Sequence, residues 1–220
     1  MCSHYQAIKE RERYFKQFGV FPPEDIERPD MWPGYRGLMV RRPAATHRHD
    51  AAAASLEILP GVFGLLPHWA RDLKLARSTY NARSETAAQK PSFREAWRKA
   101  QHCIVPAEAF FEPDWRTGKA VPTRIARADG EPLGIAGVWS GWRAPNGEST
   151  CSFTMLTINA DEHPLMRQFH KPGDEKRMVV ILPGGAYAAW LEAPARASMA
   201  FMRPYPANEL VATSSLPARE

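Results

Sequence analysis

The chain has 220 residues, 29 Lys and Arg against 24 Asp and Glu, and a 44% hydrophobic composition, which fits one folded globular domain, or at most two small ones, and excludes a miniature stapled scaffold. Cys2, Cys103 and Cys151 have no paired spacing, which excludes a disulfide framework and a C-x-x-C metal site, and no apolar run reaches the roughly 18–20 residues of a membrane span. The charged start "KERERYFK" is unlike a signal peptide, so a reducing, cytoplasmic setting is expected, and the net charge of +5 suits a polyanionic partner without requiring one.

In chain order, "YQAIKERERYFKQFG" predicts an amphipathic helix with Ile8, Tyr14, Phe15 and Phe18 on one stripe and Gly19 at its end. The Pro-rich "VFPPEDIERPDMWPGYRG" predicts a connection, "LMVRRP" a short strand, and "ATHRHDAAAAS" a surface loop. "LEILPGVFGLLPHW" predicts a bent or bulged strand because Pro and Gly interrupt it. "STYNARSET" predicts a polar loop. "PSFREAWRKA" predicts a short helix with Ser92 and Glu95 at capping-box spacing and Phe93, Ala96, Trp97 and Ala100 inward. Strands follow in "HCIVPAEAFFE", "TRIARA", "LGIAGVWSGW", "SFTMLTIN" and "RMVVILP", several separated by Gly-containing polar turns. "PLMRQF" predicts a short helix, "GGAYAAWLEA" a final amphipathic helix, and the tail beyond Pro204 an irregular segment. Many strands, few helices and no βαβ rhythm predict an α+β fold: a single domain over 1–220 with a curved, barrel-like, mostly antiparallel sheet and a few short peripheral helices.

The chemistry-bearing residues are scattered. Cys2 follows the initiator Met directly, and loss of Met1 would expose an amine and a thiol on adjacent carbons. The amine has an ordinary pKa near 8 and the thiol one of about 8.5, an easily activated pair whose distinctive reaction is thiazolidine formation with an aldehyde. On position alone a thiol on a loose end is the simpler reading. Asn81, Arg83, Ser84 and Glu85 crowd one loop, as turn-forming and capping residues do, and the planar fork of Arg83 suits a phosphate. Glu112 ends an apolar strand after Phe110 and Phe111, where desolvation would raise its pKa toward that of a general acid, although strand-end glutamates usually face solvent. His170 lies in a polar loop and titrates near neutrality unless perturbed. His47 and His49 have no companion ligands, so no metal is expected, and no cofactor motif is present. Trp69, just before a polar loop, would stack on a base if exposed.

In this order, Cys2, "NARSET", "CIVPAEAFFE" and "H…RM-V-IL" resemble the SRAP family, the SOS-response-associated peptidases or abasic-site processing proteins. The resemblance runs from Cys2 to about Leu182. It implies a single α+β domain with a barrel-like core that binds single-stranded DNA and reacts with the ring-opened aldehyde of an abasic site. Cys2 would form a covalent thiazolidine crosslink through lyase-like Schiff-base chemistry, with an associated autopeptidase activity exposing Cys2. It further implies that Asn81 orients the Cys2 amine, that Glu112 shuttles protons and takes part in crosslink reversal, and that His170 helps open the sugar. Arg83 and Arg177 would bind phosphate, Trp69 would act as a base-stacking wedge, and Thr157 would contact the DNA backbone. The expected partner is single-stranded DNA containing abasic sites, with no membrane, the protein monomeric and cytoplasmic and associated with the nucleoid when DNA-bound. The chain departs from the family pattern at Ser3-His4, where many relatives carry Gly-Arg, at "YRGLMV" in place of an Asn-x-Ala-Pro stretch, at Ala70 after the wedge, at "EPDW", and in "KPGDEK" between His170 and Arg177. Two other classes share these residues: a peptidase using Cys2 as an N-terminal nucleophile, and a non-covalent single-stranded nucleic-acid-binding module.

Overall fold

The computed structural model describes residues 2–24, 28–43 and 56–214. Thirteen strands and four α-helices run in the order β1 His4–Gln6, α1 Arg11–Phe18, β2 Asp30–Met31, β3 Arg36–Arg41, β4 Glu57–Phe63, β5 Asn81–Arg83, α2 Ser84–Ala87, α3 Arg94–Arg98, β6 His102–Ala107, β7 Ala109–Asp114, β8 Val121–Arg127, β9 Leu133–Arg143, β10 Ser149–Asn159, β11 Arg177–Val179, β12 Ile181–Leu182, α4 Tyr187–Glu192 and β13 Leu210–Ser214. The expected α+β architecture is present.

Strands β4, β3, β6, β9 and β10 pair in sequence, and β10 pairs back onto both β9 and β4, which closes a five-stranded barrel. Closure leaves these strands no free edge. The β4–β10 and β5–β10 pairings are parallel, and the other pairings are antiparallel. The second sheet, β13-β8-β7-β1-β2, is wholly antiparallel. Phe63, Phe153, Ile104 and Val138 from the barrel and Tyr5, Phe110 and Ile125 from the second sheet belong to one buried core, so the two sheets share their apolar faces.

The N-terminal segment differs from its predicted helix. Residues 4–6 form a strand because Tyr5 pairs with Phe110 on one side and Met31 on the other, and the helix starts only at Arg11. Gly19 does close it: its N–H donates to the Phe15 carbonyl at 2.8 Å with φ +73. Phe15 is exposed rather than part of the inner stripe. The loop expected at 80–86 is short strand β5 plus one turn of helix, because its backbone adds to the end of β10. "HCIVPAEAFFE" is two strands broken at Glu108, each belonging to a different sheet. Ser92 does not cap α3. Its N-cap is Phe93, and the Glu95 carboxylate instead engages Lys99 and His68. The bend expected after β4 sits at Gly64, whose φ of +124 and close approach to the Ala76 backbone exclude a side chain. The tail is not irregular throughout, since Leu210–Ser214 pairs with β8. His47 and His49 lie outside the described residues. No helix among the described residues is long and apolar enough to cross a membrane, and no cluster of His, Cys, Asp and Glu there has the makings of a metal site.

Candidate active site

Strand β1 is the pivot of the site. Its pairing with β7 sets His4 opposite Phe111, so Cys2 enters from the end of β1 beside the end of β7 where Glu112 sits. Alternation along β7 turns Phe110 and Glu112 toward the interior and Phe111 outward. Glu112 is thereby buried, at 1% exposure, opposite Thr123 of β8. From the barrel side, β5 presents Asn81, whose Nδ2 donates to the Cys2 carbonyl oxygen at 2.6 Å. The site thus lies where the two sheets meet, and one hydrogen bond ties the N-terminal segment across that junction.

His170 arrives on the connection after β10. Its backbone N–H donates to the Pro113 carbonyl at 2.9 Å, and Phe169 forms a bridge with Asp114. This latches the connection onto the end of β7 and places His170 Nε2 3.2 Å from Glu112 Oε2. His170 has φ +63, a left-handed conformation uncommon for a non-glycine residue and one that surrounding structure must impose. The Lys171–Lys176 segment helps impose it: the Lys176 ammonium donates to the carbonyls of Lys171 at 2.9 Å and His170 at 3.4 Å.

Burial dominates the electrostatics. It raises the Glu112 carboxyl from 4.5 to about 7, against the pull of the positive amino terminus. It lowers His170 to about 4, helped by repulsion from the amino terminus and Lys176. Near neutral pH the imidazole is therefore uncharged and the carboxyl is close to half-protonated, an arrangement that can give and take a proton in one cycle. Burial, with Glu112 second, pushes the Cys2 thiol up to about 12. The thiol is fully buried and donates to the His4 carbonyl at 3.3 Å. The expectation of an easily activated thiol is corrected accordingly: at rest it is held as the thiol, and it needs a base to act. Asn81 Oδ1 is buried and accepts no hydrogen bond among the described residues, which leaves it for a donor on a substrate.

The structure brings Cys2, Asn81, Glu112 and His170 together and divides the four residues expected to contact DNA. Arg83 is half exposed at the rim and pairs with Glu175 at 2.7 Å. Arg177 is buried and heavily engaged: its guanidinium donates to Glu85 at 2.9 and 3.0 Å, to Glu175 at 2.7 Å and to the Thr157 carbonyl at 2.8 Å. Thr157 is buried beneath it, and its hydroxyl accepts from Arg177 at 3.2 Å. In this arrangement both terminal nitrogens of Arg177 are committed to bracing β11 against β10 and α2, and its Nε, although without a partner among the described residues, is itself buried. Trp69 is exposed, as expected, in a groove with Arg94, Arg98 and Arg196. Pro91 lines both this groove and the depression holding Asn81 and Arg83, so the two are neighbours.

Over residues 1–215 the sequence matches the family described as SOS response associated peptidase (SRAP). The chain belongs to the SRAP family. Among SRAP relatives, the abasic site processing protein YoqW of Bacillus subtilis is 28% identical over 223 residues, covering 96% of this chain and 91% of that protein. The abasic site processing protein HMCES of Mus musculus is 27% identical over 173 residues, covering 65% of this chain and 47% of that protein. A solved Bordetella bronchiseptica structure superposes with a TM-score of 0.87 at 53% identity, covering 98% of this chain and all of the other. A Bacteroides thetaiotaomicron structure reaches 0.79 at 21% identity over 97% and 91%, a likeness of fold.

Two features of this SRAP site were not anticipated. Tyr80, beside Asn81, has its hydroxyl pKa raised by burial and by the charges of Cys2 and Glu112, which places it within electrostatic reach of both. Its position next to Asn81 was the available signal. The Glu85–Arg177–Glu175 network was equally hidden, although the acidic residues of "NARSET" and "KPGDEK" that build it were in view.

Proposed function

We propose that the protein processes abasic sites in single-stranded DNA by capturing the ring-opened deoxyribose aldehyde as a thiazolidine on Cys2, once Met1 has been removed. The observation that carries this reading is the coupled set in which Asn81 holds Cys2 beside the buried Glu112–His170 pair. The α-amine adds to the C1′ aldehyde. A protonated Glu112 supplies the proton with which water leaves, giving the iminium. The resulting carboxylate then takes the Cys2 thiol proton as sulfur bonds to C1′, which leaves the ring nitrogen as a neutral N–H and Glu112 protonated as at the start. One aldehyde, one amine and one thiol give one thiazolidine and one water. The raised thiol pKa fits an order in which the amine reacts first and sulfur acts only when Glu112 is free to accept its proton. His170, uncharged and against Glu112, is placed to relay protons during opening of the sugar ring.

Support for this substrate comes from the relatives named as abasic site processing proteins and from two neighbouring depressions, one bearing Arg83 and the other Trp69 with further arginines, which combine cations with an exposed aromatic ring as single-strand binders do. The deciding experiment incubates the Met1-processed protein with a single-stranded oligonucleotide carrying one abasic site, followed by a denaturing gel. The expected result is a heat-stable shifted band that Cys2→Ala abolishes. Absence of the band with wild type, while undamaged single strands still bind, would replace this reading with a non-covalent binding module. Cleavage of unrelated peptides, likewise lost in Cys2→Ala, would support the peptidase named in the family's description.

A further inference from the structure

His4 is built into a stack of three rings. The His4 imidazole lies on Phe111, with centroids 4.0 Å apart and planes 9° from parallel, and Trp32 lies on the opposite face of His4 at 4.2 Å and 9°. Asp30 fixes the imidazole from its edge, with Oδ1 2.7 Å from His4 Nε2. All of this is on the outer face of the second sheet, since Tyr5, Met31 and Phe110, their alternating neighbours, point into the core. Phe111 is covered by His4 and His4 by Trp32, but Trp32 ends the stack and is 43% exposed.

Trp32 is also held rigidly from its backbone. The Tyr35 N–H donates to the Trp32 carbonyl at 2.9 Å, with Pro33 and Gly34 between them and Gly34 at φ +93. That is a type II turn, with the residue types that turn requires. Arg28 lies over the ring of Tyr35, the residue that closes this turn, at 4.9 Å, and Arg36 follows it exposed. His4, on which the indole rests, is two residues from Cys2, about 7 Å at the rise of an extended chain. A flat, preordered aromatic surface, with arginines on the same turn and stacked on a residue two positions from the aminothiol, matches a nucleobase better than an apolar protein surface.

We propose that the outer face of Trp32, backed by His4 and Phe111, is a stacking subsite for the base adjacent to the abasic nucleotide. This rests on the abasic-site reading, and it assigns to Trp32 and His4 a positioning role. The test is a cycle between protein and DNA. Binding is measured by fluorescence anisotropy with single strands carrying a tetrahydrofuran analogue, which cannot crosslink, and with two further strands in which the base on the 5′ or the 3′ side is also removed. Trp32→Ala is expected to weaken binding of the first strand roughly 5- to 150-fold, the range for loss of one base–aromatic stack. One of the two base-deleted strands should show little or no such difference, and Trp32→Phe should recover part of the loss. Equal losses on all three strands, or no loss on any, would overturn the subsite. Because the tetrahydrofuran strands test the stack without any covalent step, a wild-type protein that forms no crosslink on natural abasic DNA would overturn the thiazolidine reading and leave this result standing or falling separately.

Discussion

The raised pKa of Glu112 makes a specific demand on stability. A carboxyl that moves from 4.5 in the unfolded chain to about 7 in the folded protein binds its proton more tightly in the native state, so stability is lost as pH rises between those values. The full cost of ionising it in the fold is on the order of 3 kcal/mol, most of which accrues between pH 5 and pH 8. His170 works in the opposite direction. Its folded value of about 4 lies below the ordinary 6.5, so the native state binds fewer protons and stability is lost as pH falls through that window. Wild type should therefore show a shallow pH dependence between about 4.5 and 6.5, where the two slopes oppose. Glu112→Gln keeps the side-chain shape and removes one slope. Relative to wild type it should gain on the order of 2–3 kcal/mol from pH 5 to pH 8, or about 5–10 °C in Tm for a chain of this size. Thermal melts of both proteins across that range provide the measurement. A wild-type-to-variant difference that stays constant from pH 5 to pH 8 would refute the premise that Glu112 is buried with a raised pKa, and with it the proton shuttle.

Asn81→Ala removes the 2.6 Å bond to the Cys2 carbonyl and should slow crosslink formation roughly 3- to 10-fold in a time course on denaturing gels, consistent with the net worth of one hydrogen bond. Arg177→Ala should cost about 2 kcal/mol, because it strands the Thr157 carbonyl and removes the cation that joins Glu85 of α2 to Glu175, and chemical denaturation would reveal it. An unchanged midpoint would show that the brace is ornamental. Non-covalent affinity for single-stranded DNA should fall linearly in log–log terms with salt, at about 0.7 per phosphate contacted, and a flat response would exclude the basic groove as the strand's path.

Much of the strand inventory was legible, because runs such as "LGIAGVWSGW" and "SFTMLTIN" combine β-branched and aromatic residues with Gly-rich turns between them. Residues 4–6 were misread because Ile8, Tyr14 and Phe18 have helical spacing and draw Tyr5 into the pattern. The partner that makes Tyr5 a strand residue, Phe110, is more than a hundred positions away. Barrel closure was invisible for the same reason, since it depends on β10 meeting both β9 and β4. The residues of the site could be picked out from their order along the chain, but their electrostatic state could not. The isolated sequence shows Glu112 only as a strand-end carboxylate, and its pKa follows from the sheets that enclose it.

That enclosure bears most directly on Cys2. With a pKa near 12, about one thiol in ten thousand is ionised at pH 8, against roughly a quarter of an ordinary cysteine at 8.5. The greater intrinsic nucleophilicity of a more basic thiolate recovers part of that deficit, so alkylation should run on the order of 100-fold slower than for an unstructured cysteine. Iodoacetamide labelling followed by peptide mapping separates Cys2 from Cys103 and Cys151, and the same labelling in urea supplies the unstructured rate. Glu112→Gln removes the second cause of the raised pKa and should speed labelling of the folded protein. A Cys2 labelled as fast folded as unfolded would mean that the thiol is free to ionise on its own. The amine-first order, in which sulfur waits for Glu112, would then lose its physical basis. A thiol kept protonated is also sheltered from oxidation, because susceptibility follows thiolate character. In the proposed chemistry, the burial that slows the bare nucleophile would preserve it until an aldehyde has engaged the amine beside it.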